Sequence, residues 1–225
     1  MKISVIIPAF NEQESIRYVI DRIPNKDSYE IIVVDGDSKD QTVAIAEASG
    51  ARVLHEPRRG YGRACATGVE GAAGDIIIFL DADGADDPTQ IPELIAPFQN
   101  GQADMVLGSR LAGKIHPGAM PWHQYFGNWL SAGLIRILYQ IPITDLSPFR
   151  GVDRSKLLSI EMGEMTYGWP TEMIAKAARN NWRITETPVN YFPRYGGQSK
   201  ISGTIKGTIL ATYYILSTIL KYERK

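Results

Sequence analysis

The sequence predicts an α/β domain built on a mostly parallel sheet with helices on both faces, and three observations carry this. Val/Ile-rich runs without polar alternation recur, as in "KISVIIPAF", "YEIIVVDGDS" and "DIIIFLDAD". A strand covered on both faces has that pattern, whereas a half-exposed strand alternates. Helix-like segments stand between the runs, an order that gives βαβ units. The length of 225 residues, 44% of them hydrophobic, is enough to bury one such sheet.

Taken in order, "KISVIIPAF" reads as the first buried strand. "NEQESIRYVIDRI" follows as a helix, with acidic residues in its first turn and Ile16, Val19, Ile20 and Ile23 at helical spacing. "YEIIVVDGDS" is the second strand, "KDQTVAIAEASG" a helix closed by Gly50, and "ARVLHE" the third strand. "GRACATGVEGAAG" is a helix of small residues that suits close packing on a sheet, and "DIIIFLDAD" is the fourth strand. The Gly-x-Gly in "GYGRACATG" could seat a phosphate, but an isolated Gly-x-Gly is common, and packing is the reading preferred.

Net charge is −1, so nothing global draws the chain toward nucleic acid, and no nucleic-acid partner is expected. The single cysteine, Cys65, cannot form an internal disulfide, which fits a reducing, cytoplasmic setting. It reads as a small buried residue, not a nucleophile. The N-terminal apolar run stops at Pro8 and does not make a secretory leader. His55, His116 and His123 are too dispersed for a transition-metal site.

Ligands of an open α/β sheet bind at the carboxyl ends of its strands. That rule gathers Pro8, Asn11 and Glu12 after the first strand, Asp35 and Asp37 after the second, and Asp81 and Asp83 after the fourth. Acidic groups on one rim repel unless a cation or donor groups compensate them. In Asp81-Ala82-Asp83 the alternate residues of an extended segment point the same way, so both carboxylates can reach one hard cation, Mg²⁺ or Mn²⁺. Asp86 or Asp87 could supply a further metal or phosphate contact, but just before Pro88 and Thr89 the preferred reading is a turn and helix start, where carboxylates suit the helix dipole.

"LDADGAD" also resembles the nucleophile loop of haloacid-dehalogenase-type phosphatases, but it lies mid-chain and has Ala85 where those enzymes have Thr. The wider set of motifs points elsewhere. "VIIPAFNE", "IIVVDGDSKDQT", "GDIIIFLDADGADDP", "DMVLGSR", "TDLSPFRG" and "PRYGGQSK" stand in the order seen in family 2 glycosyltransferases. Over about the whole chain the sequence resembles the branch of that family containing dolichol- and polyprenyl-phosphate sugar synthases.

The resemblance implies a GT-A fold with a Rossmann-like sheet, a nucleotide-sugar donor (GDP-mannose or a UDP-sugar), a divalent metal and an inverting transfer. It implies one domain over 1–206, with a nucleotide-sugar and metal half over 1–110, an acceptor half over 111–206, and a terminal helix over 207–225. Carried over by position, Pro8, Asn11, Glu12 and Asp35 hold the base and ribose. Asp81, Ala82 and Asp83 meet the metal and diphosphate, with Asp81 and Asp83 the metal ligands. Arg194, Ser199 and Lys200 clamp the diphosphate, and Arg110 faces the acceptor with Asp145, Arg150 and Glu172 nearby. Asp83, Arg110, Arg194 and Lys200 form the expected catalytic set: a leaving nucleoside diphosphate gains charge that a metal and cations stabilise. The pattern departs at Gly36, which displaces the second acid of the usual D-D-G-S to Asp37, and at Ala85, where a Gln is usual.

The expected acceptor is a polyprenyl phosphate. The alternatives are a hydroxyl of a glycan, glycolipid or small molecule, or a nucleotide-sugar-binding subunit without catalysis. Thr208 to Leu220, at about 1.5 Å per residue, spans about 20 Å, too short for a ~30 Å hydrocarbon core. With its tyrosines and flanking lysines it reads either as an interfacial helix on the cytoplasmic face of a membrane or as a helix packed on the domain. Trp122, Tyr125, Phe126 and Trp129, with Leu130 and Leu134, form an aromatic amphipathic segment open to the same two readings.

Overall fold

The computed structural model describes residues 1–197 and 205–223. Strands β1 (Ile3–Ala9), β2 (Glu30–Asp35), β3 (Arg52–His55) and β4 (Ile76–Phe79) alternate with helices α1 (Ile16–Asp21), α2 (Thr42–Ala48) and α3 (Tyr61–Gly71). Helix α4 (Ile91–Gln99) leads to the long strand β5 (Met105–Ile115) and helix α5 (Trp122–Tyr139). Strand β6 (Arg150–Asp153), helices α6 (Arg154–Ser159) and α7 (Trp169–Arg179), strand β7 (Ile184–Tyr191) and helix α8 (Ile205–Glu223) complete the order.

The strands form one seven-stranded sheet in the order β3-β2-β1-β4-β6-β5-β7. β1 pairs parallel with β2 and β4, and β2 with β3. β6 is antiparallel to both β4 and β5, while β5 and β7 are parallel. The expected mostly parallel sheet with helices on both faces is therefore the observed one, with a single antiparallel strand inserted.

The unbroken apolar runs follow from that burial. Along β1, Ile6 enters one core beneath α3 and α7, whereas Val5 and Ile7 enter the other with α1 and α4. Ile77 and Phe79 of β4 alternate in the same way with Ile76, Ile78 and Leu80. The small residues of α3 serve the expected close approach: a Cβ on Gly68 would stand 2.5 Å from Ile6 Cγ2.

One element differs from the sequence reading. The segment from Asn11 to Ser15 is a loop, and α1 begins only at Ile16. Asn11 takes a left-handed φ of 53°, and its backbone N–H donates to Ser38 Oγ at 2.9 Å, while Glu12 N–H donates to Thr42 Oγ1 at 2.8 Å. These cross-links hold the first turn away from helical geometry and lash it to the β2–α2 loop.

For α8 the sequence left two readings, and the helix is docked on the body. Thr218, Ile219 and Tyr222 are buried. Tyr139 donates its hydroxyl to the Ile219 carbonyl at 2.6 Å, and Arg179 donates to the Tyr222 carbonyl at 2.8 Å. Of Tyr213, Tyr214 and Tyr222, the tyrosines expected to anchor an interfacial helix, Tyr222 is spent on protein packing while Tyr213 is exposed, and the helix takes the packed reading in place of the membrane one. No helix among the described residues is long and apolar enough to cross a membrane.

Candidate active site

The order β3-β2-β1-β4 reverses direction between β1 and β4, the switch point at which open α/β sheets hold ligands. Glu12 leaves β1 on one side of that crevice and Asp81 and Asp83 leave β4 on the other. Arg194, from the segment after β7, joins them: it donates to Asp83 Oδ2 at 2.8 Å and to both Glu12 oxygens at 2.5 and 2.6 Å. Tyr195 N–H donates to the Asp83 carbonyl at 2.9 Å, and its ring stacks on Tyr18 with centroids 3.9 Å apart. The turn beneath requires glycine. Gly84 has φ +74°, and a Cβ there would meet Tyr195 Cβ at 2.9 Å.

The acid pair is electrostatically strained. Asp81 accepts from the Tyr61 hydroxyl at 3.2 Å. Burial first, and the Asp83 carboxylate second, push its pKa up to about 7. Asp83 Oδ1 accepts from Ala85 N–H at 2.9 Å, an Asx-type turn that fixes the loop. Among the described residues no group of three or more acidic, histidine or cysteine side chains is arranged to hold a metal ion. The pair nevertheless fits a hard cation whose remaining positions go to phosphate oxygens. It supplies oxygen donors only, and the raised pKa of Asp81 marks negative charge short of a counter-charge.

Asp86 and Asp87, read alike from sequence, separate here. Asp87 caps the short helix Pro88–Gln90 through Thr89 N–H and Oγ1, and pairs with Arg22 at 3.1 Å. Asp86 is buried, and its Oδ1 has no hydrogen-bond partner. Burial, then Asp81, raise its pKa well above the carboxylate range, with Arg110 opposing.

On the donor side, Asp35 is buried at the end of β2, accepts from Ser38 N–H at 3.2 Å, and lies 3.5 Å from His55 Nδ1. Pro8 sits in β1 and Asn11 Oδ1 accepts from Lys39 N–H at 2.8 Å. Pro8, Asn11, Glu12, Asp35, Asp81, Ala82, Asp83 and Arg194 therefore share one rim. Asp37 turns outward and pairs with Lys39 at 2.8 Å. Ser199 and Lys200 lie outside the described residues.

The residues expected near the acceptor divide. Arg110 and Asp145 form a buried bidentate pair, Nε to Oδ2 at 2.9 Å and Nη2 to Oδ1 at 2.7 Å, and Asn128 also donates to Asp145 Oδ1. Burial opposes the charge on each, and each partner outweighs it for the other: the Arg110 pKa stands above its ordinary value and that of Asp145 below. Arg150 is buried and donates to the carbonyls of Pro170, Leu146 and Ser147; burial lowers its pKa to about 10. Glu172 accepts from the N–H groups of Gly163 and Glu164 and from the Tyr222 hydroxyl, and pairs with Lys176. Arg150, in register with Phe79 at the carboxyl end of β4, thus ties α7 to the floor of the crevice, and Glu172 ties α7 to α8. Cys65 is free and buried, and burial raises its thiol pKa, as suits a packing residue.

Tyr61, Tyr18 and Tyr195 were not singled out from sequence. Tyr61 stood inside "GYGRACATG", where only the glycines drew attention, and nothing local marks a stack between residues 18 and 195.

The family model for glycosyl transferase family 2 matches residues 4–158. The chain belongs to that family. As a family 2 glycosyltransferase it is an enzyme, and the phosphatase and binding-only alternatives fall away. It is 38% identical over 211 residues to an uncharacterized glycosyltransferase of Mycobacterium tuberculosis, covering 93% of this chain and 94% of that one. It is 33% identical over 200 residues to the low-salt glycan biosynthesis hexosyltransferase Agl6 of Haloferax volcanii, 86% of this chain and 48% of the relative. Among solved structures, glucosyl-3-phosphoglycerate synthase of M. tuberculosis, in complex with Mn²⁺, UDP and phosphoglyceric acid, superimposes with a TM-score of 0.80. Identity there is 25%, covering 99% of this chain and 78% of that chain.

These structures correct the expected acceptor. The synthase complexes hold phosphoglyceric acid and its glucosylated product, not a polyprenyl phosphate. The lipid-phosphate partner, and the peripheral membrane contact that went with it, are withdrawn. Arg110, which the phosphate-acceptor reading set against the lipid phosphate, is paired with Asp145.

Proposed function

We propose that this glycosyltransferase moves a sugar from a UDP-sugar, with Mn²⁺ or Mg²⁺, to a hydroxyl of a small phosphorylated acceptor. The observation that carries the reading is the Asp81–Asp83 pair at the sheet's switch point with Arg194 against it. The synthase complexes, in which a related fold holds Mn²⁺, UDP-glucose and phosphoglyceric acid, support the choice of donor and acceptor class.

In this reading Asp81 and Asp83 hold the cation and Arg194 turns from Glu12 and Asp83 toward the diphosphate. A bound divalent ion would neutralise diphosphate charge as the bond to the sugar breaks. Asp35, with Pro8, Asn11 and Glu12, holds the nucleoside. Ser199 and Lys200 belong to the same proposal through their motif. A hydroxyl acceptor must lose its proton to a positioned base. Asp145, with both oxygens engaged by Arg110, is poorly disposed for that work.

The direct test incubates the protein with radiolabelled UDP-glucose, Mn²⁺ and 3-phosphoglycerate, in parallel with undecaprenyl phosphate in detergent. Label in a water-soluble, phosphatase-sensitive product supports the reading. Label that partitions into butanol, or no transfer to the soluble acceptor, overturns it.

The clamp has its own test. Arg194→Ala is expected to weaken UDP·Mn²⁺ about 10- to 100-fold, as loss of charge-assisted hydrogen bonds implies, and to leave uridine binding unchanged by calorimetry. Equal weakening of both ligands would place Arg194 at the nucleoside instead.

A further inference from the structure

The segment after β7 is fastened to the crevice from two sides. It runs antiparallel to the loop after β4: Asp86 bridges Tyr191, Phe192 N–H donates to the Ala85 carbonyl at 2.8 Å, and Tyr195 N–H donates to that of Asp83 at 2.9 Å. On the other side the Tyr195 ring lies on Tyr18 of α1, and Gly197 N–H donates to Glu14 Oε2 at 2.7 Å. The fit against this second wall is close, since a Cβ on Gly196 would stand 2.8 Å from Glu14 Cβ.

Arg194 stands between these two anchorages, and each nitrogen of its guanidinium is engaged. Nη1 donates to Asp83 Oδ2 at 2.8 Å, Nη2 to the two Glu12 oxygens at 2.5 and 2.6 Å, and Nε to the Gly196 carbonyl at 2.9 Å. One fixed cation therefore joins carboxylates from the two walls of the switch-point crevice. Its contact with Asp83 is within reach of an arriving ion, with 21% of each side chain open to water.

A divalent ion arriving alone meets this guanidinium as a competitor. To use Asp83 Oδ2 it must break a charge-assisted hydrogen bond, about twice as strong as a neutral one. It must then sit beside a displaced guanidinium, and like charges in a poorly solvated crevice repel strongly. A diphosphate removes both penalties. It offers Arg194 a bidentate pair of oxygens and offers the ion further oxygen ligands.

We infer that Arg194 is the resting occupant of the cation site, so that the protein binds the bare ion weakly and takes it up together with a nucleoside diphosphate. The coupling is reciprocal: a diphosphate that draws Arg194 away exposes Asp83, and an ion at Asp83 frees Arg194 for the diphosphate. The inference rests on the reading of Asp81 and Asp83 as metal ligands, and is independent of the sugar and the acceptor.

The test measures Mn²⁺ binding to the full chain, from the EPR signal of the free ion, with and without UDP, in wild type, Arg194→Gln, Arg194→Lys and Asp83→Asn. Without UDP, Arg194→Gln is expected to bind Mn²⁺ about 10- to 100-fold more tightly than wild type, the range that hydrogen bonds to charged groups set. With UDP the order reverses, because the clamp on the diphosphate is missing. Arg194→Lys keeps a cation beside Asp83 and should bind the bare ion more nearly as wild type does, whereas a mere loosening of the segment would make it behave as Arg194→Gln. If Asp83→Asn abolishes UDP-dependent Mn²⁺ binding but Arg194→Gln holds the bare ion no more tightly than wild type, or Arg194→Lys holds it as tightly as Arg194→Gln, the inference is overturned and the metal site stands. Mn²⁺ binding that Asp83→Asn leaves untouched in both conditions overturns the metal-site reading and the inference with it.

Discussion

Asp81→Asn is expected to abolish turnover, by about 10³-fold or more, and at the same time to make the metal-free protein more stable. Both follow from one geometry. Asp81 is held in a poorly solvated crevice beside Asp83, and its pKa rises to about 7. Between the unfolded carboxylate value of about 3.9 and the folded value, the native protein binds more protons at this site than the unfolded chain does. Stability from this group therefore falls as pH rises through that window, the opposite of the usual carboxylate. At neutral pH the shift corresponds to about 4 kcal/mol as an upper bound at ~1.4 kcal/mol per unit. The amide removes the charge and that slope, so melting curves without metal should show a higher midpoint in the variant at pH 8 and convergence near pH 4. With Mn²⁺ and UDP the order should reverse, since wild type gains ligand stabilisation. Near-normal turnover, or a lower metal-free midpoint in the variant at pH 8, would refute this account.

The same rim shows what could be read from sequence. Strands covered on both faces announce themselves as unbroken Val/Ile runs because each alternate residue meets a different core, as Ile6 and Ile7 do. Once those strands are placed, topology alone brings Glu12, Asp35, Asp81 and Asp83 together. The side of the molecule built by β5, β6 and β7 was harder. Its strands pair across long loops, and the antiparallel insertion of β6 between β4 and β5 leaves no local periodicity to announce it. A charged residue there looks the same whether it faces solvent, a ligand or a buried partner. Arg110 and Asp145 are 35 positions apart and Glu172 and Tyr222 are 50 apart, so no short motif encodes either contact. The acceptor was misread for a related reason: the motifs describe the diphosphate and metal, which donors share, whereas the acceptor meets surfaces outside those motifs.

The Arg110–Asp145 pair provides the second large effect. Arg110→Met is expected to cost about 3–5 kcal/mol, the range for breaking a buried ion pair from one side. The Asp145 carboxylate then keeps only Asn128 Nδ2 and the backbone N–H of residue 110 as donors among those Arg110 now shares with it. At about 2–4 °C per kcal/mol for a chain of this length, the midpoint should fall by roughly 6–20 °C. The double variant Arg110→Met with Asp145→Leu leaves no stranded charge, and its loss should be well below the sum of the two single losses, a coupling that double-mutant cycles measure directly. The sign with pH is fixed by the lowered pKa of Asp145. The pair's contribution is complete above the unfolded carboxylate value of about 3.9 and is lost as pH falls through the folded value, so wild type should weaken in acid where the double variant does not. Asp145→Asn separates structure from chemistry. If the aspartate orients Arg110, this variant loses stability, and turnover of the protein that remains folded falls by less than about 100-fold. A loss of about 10⁴-fold with an unchanged midpoint and intact UDP·Mn²⁺ binding would instead make Asp145 the base that takes the acceptor's proton.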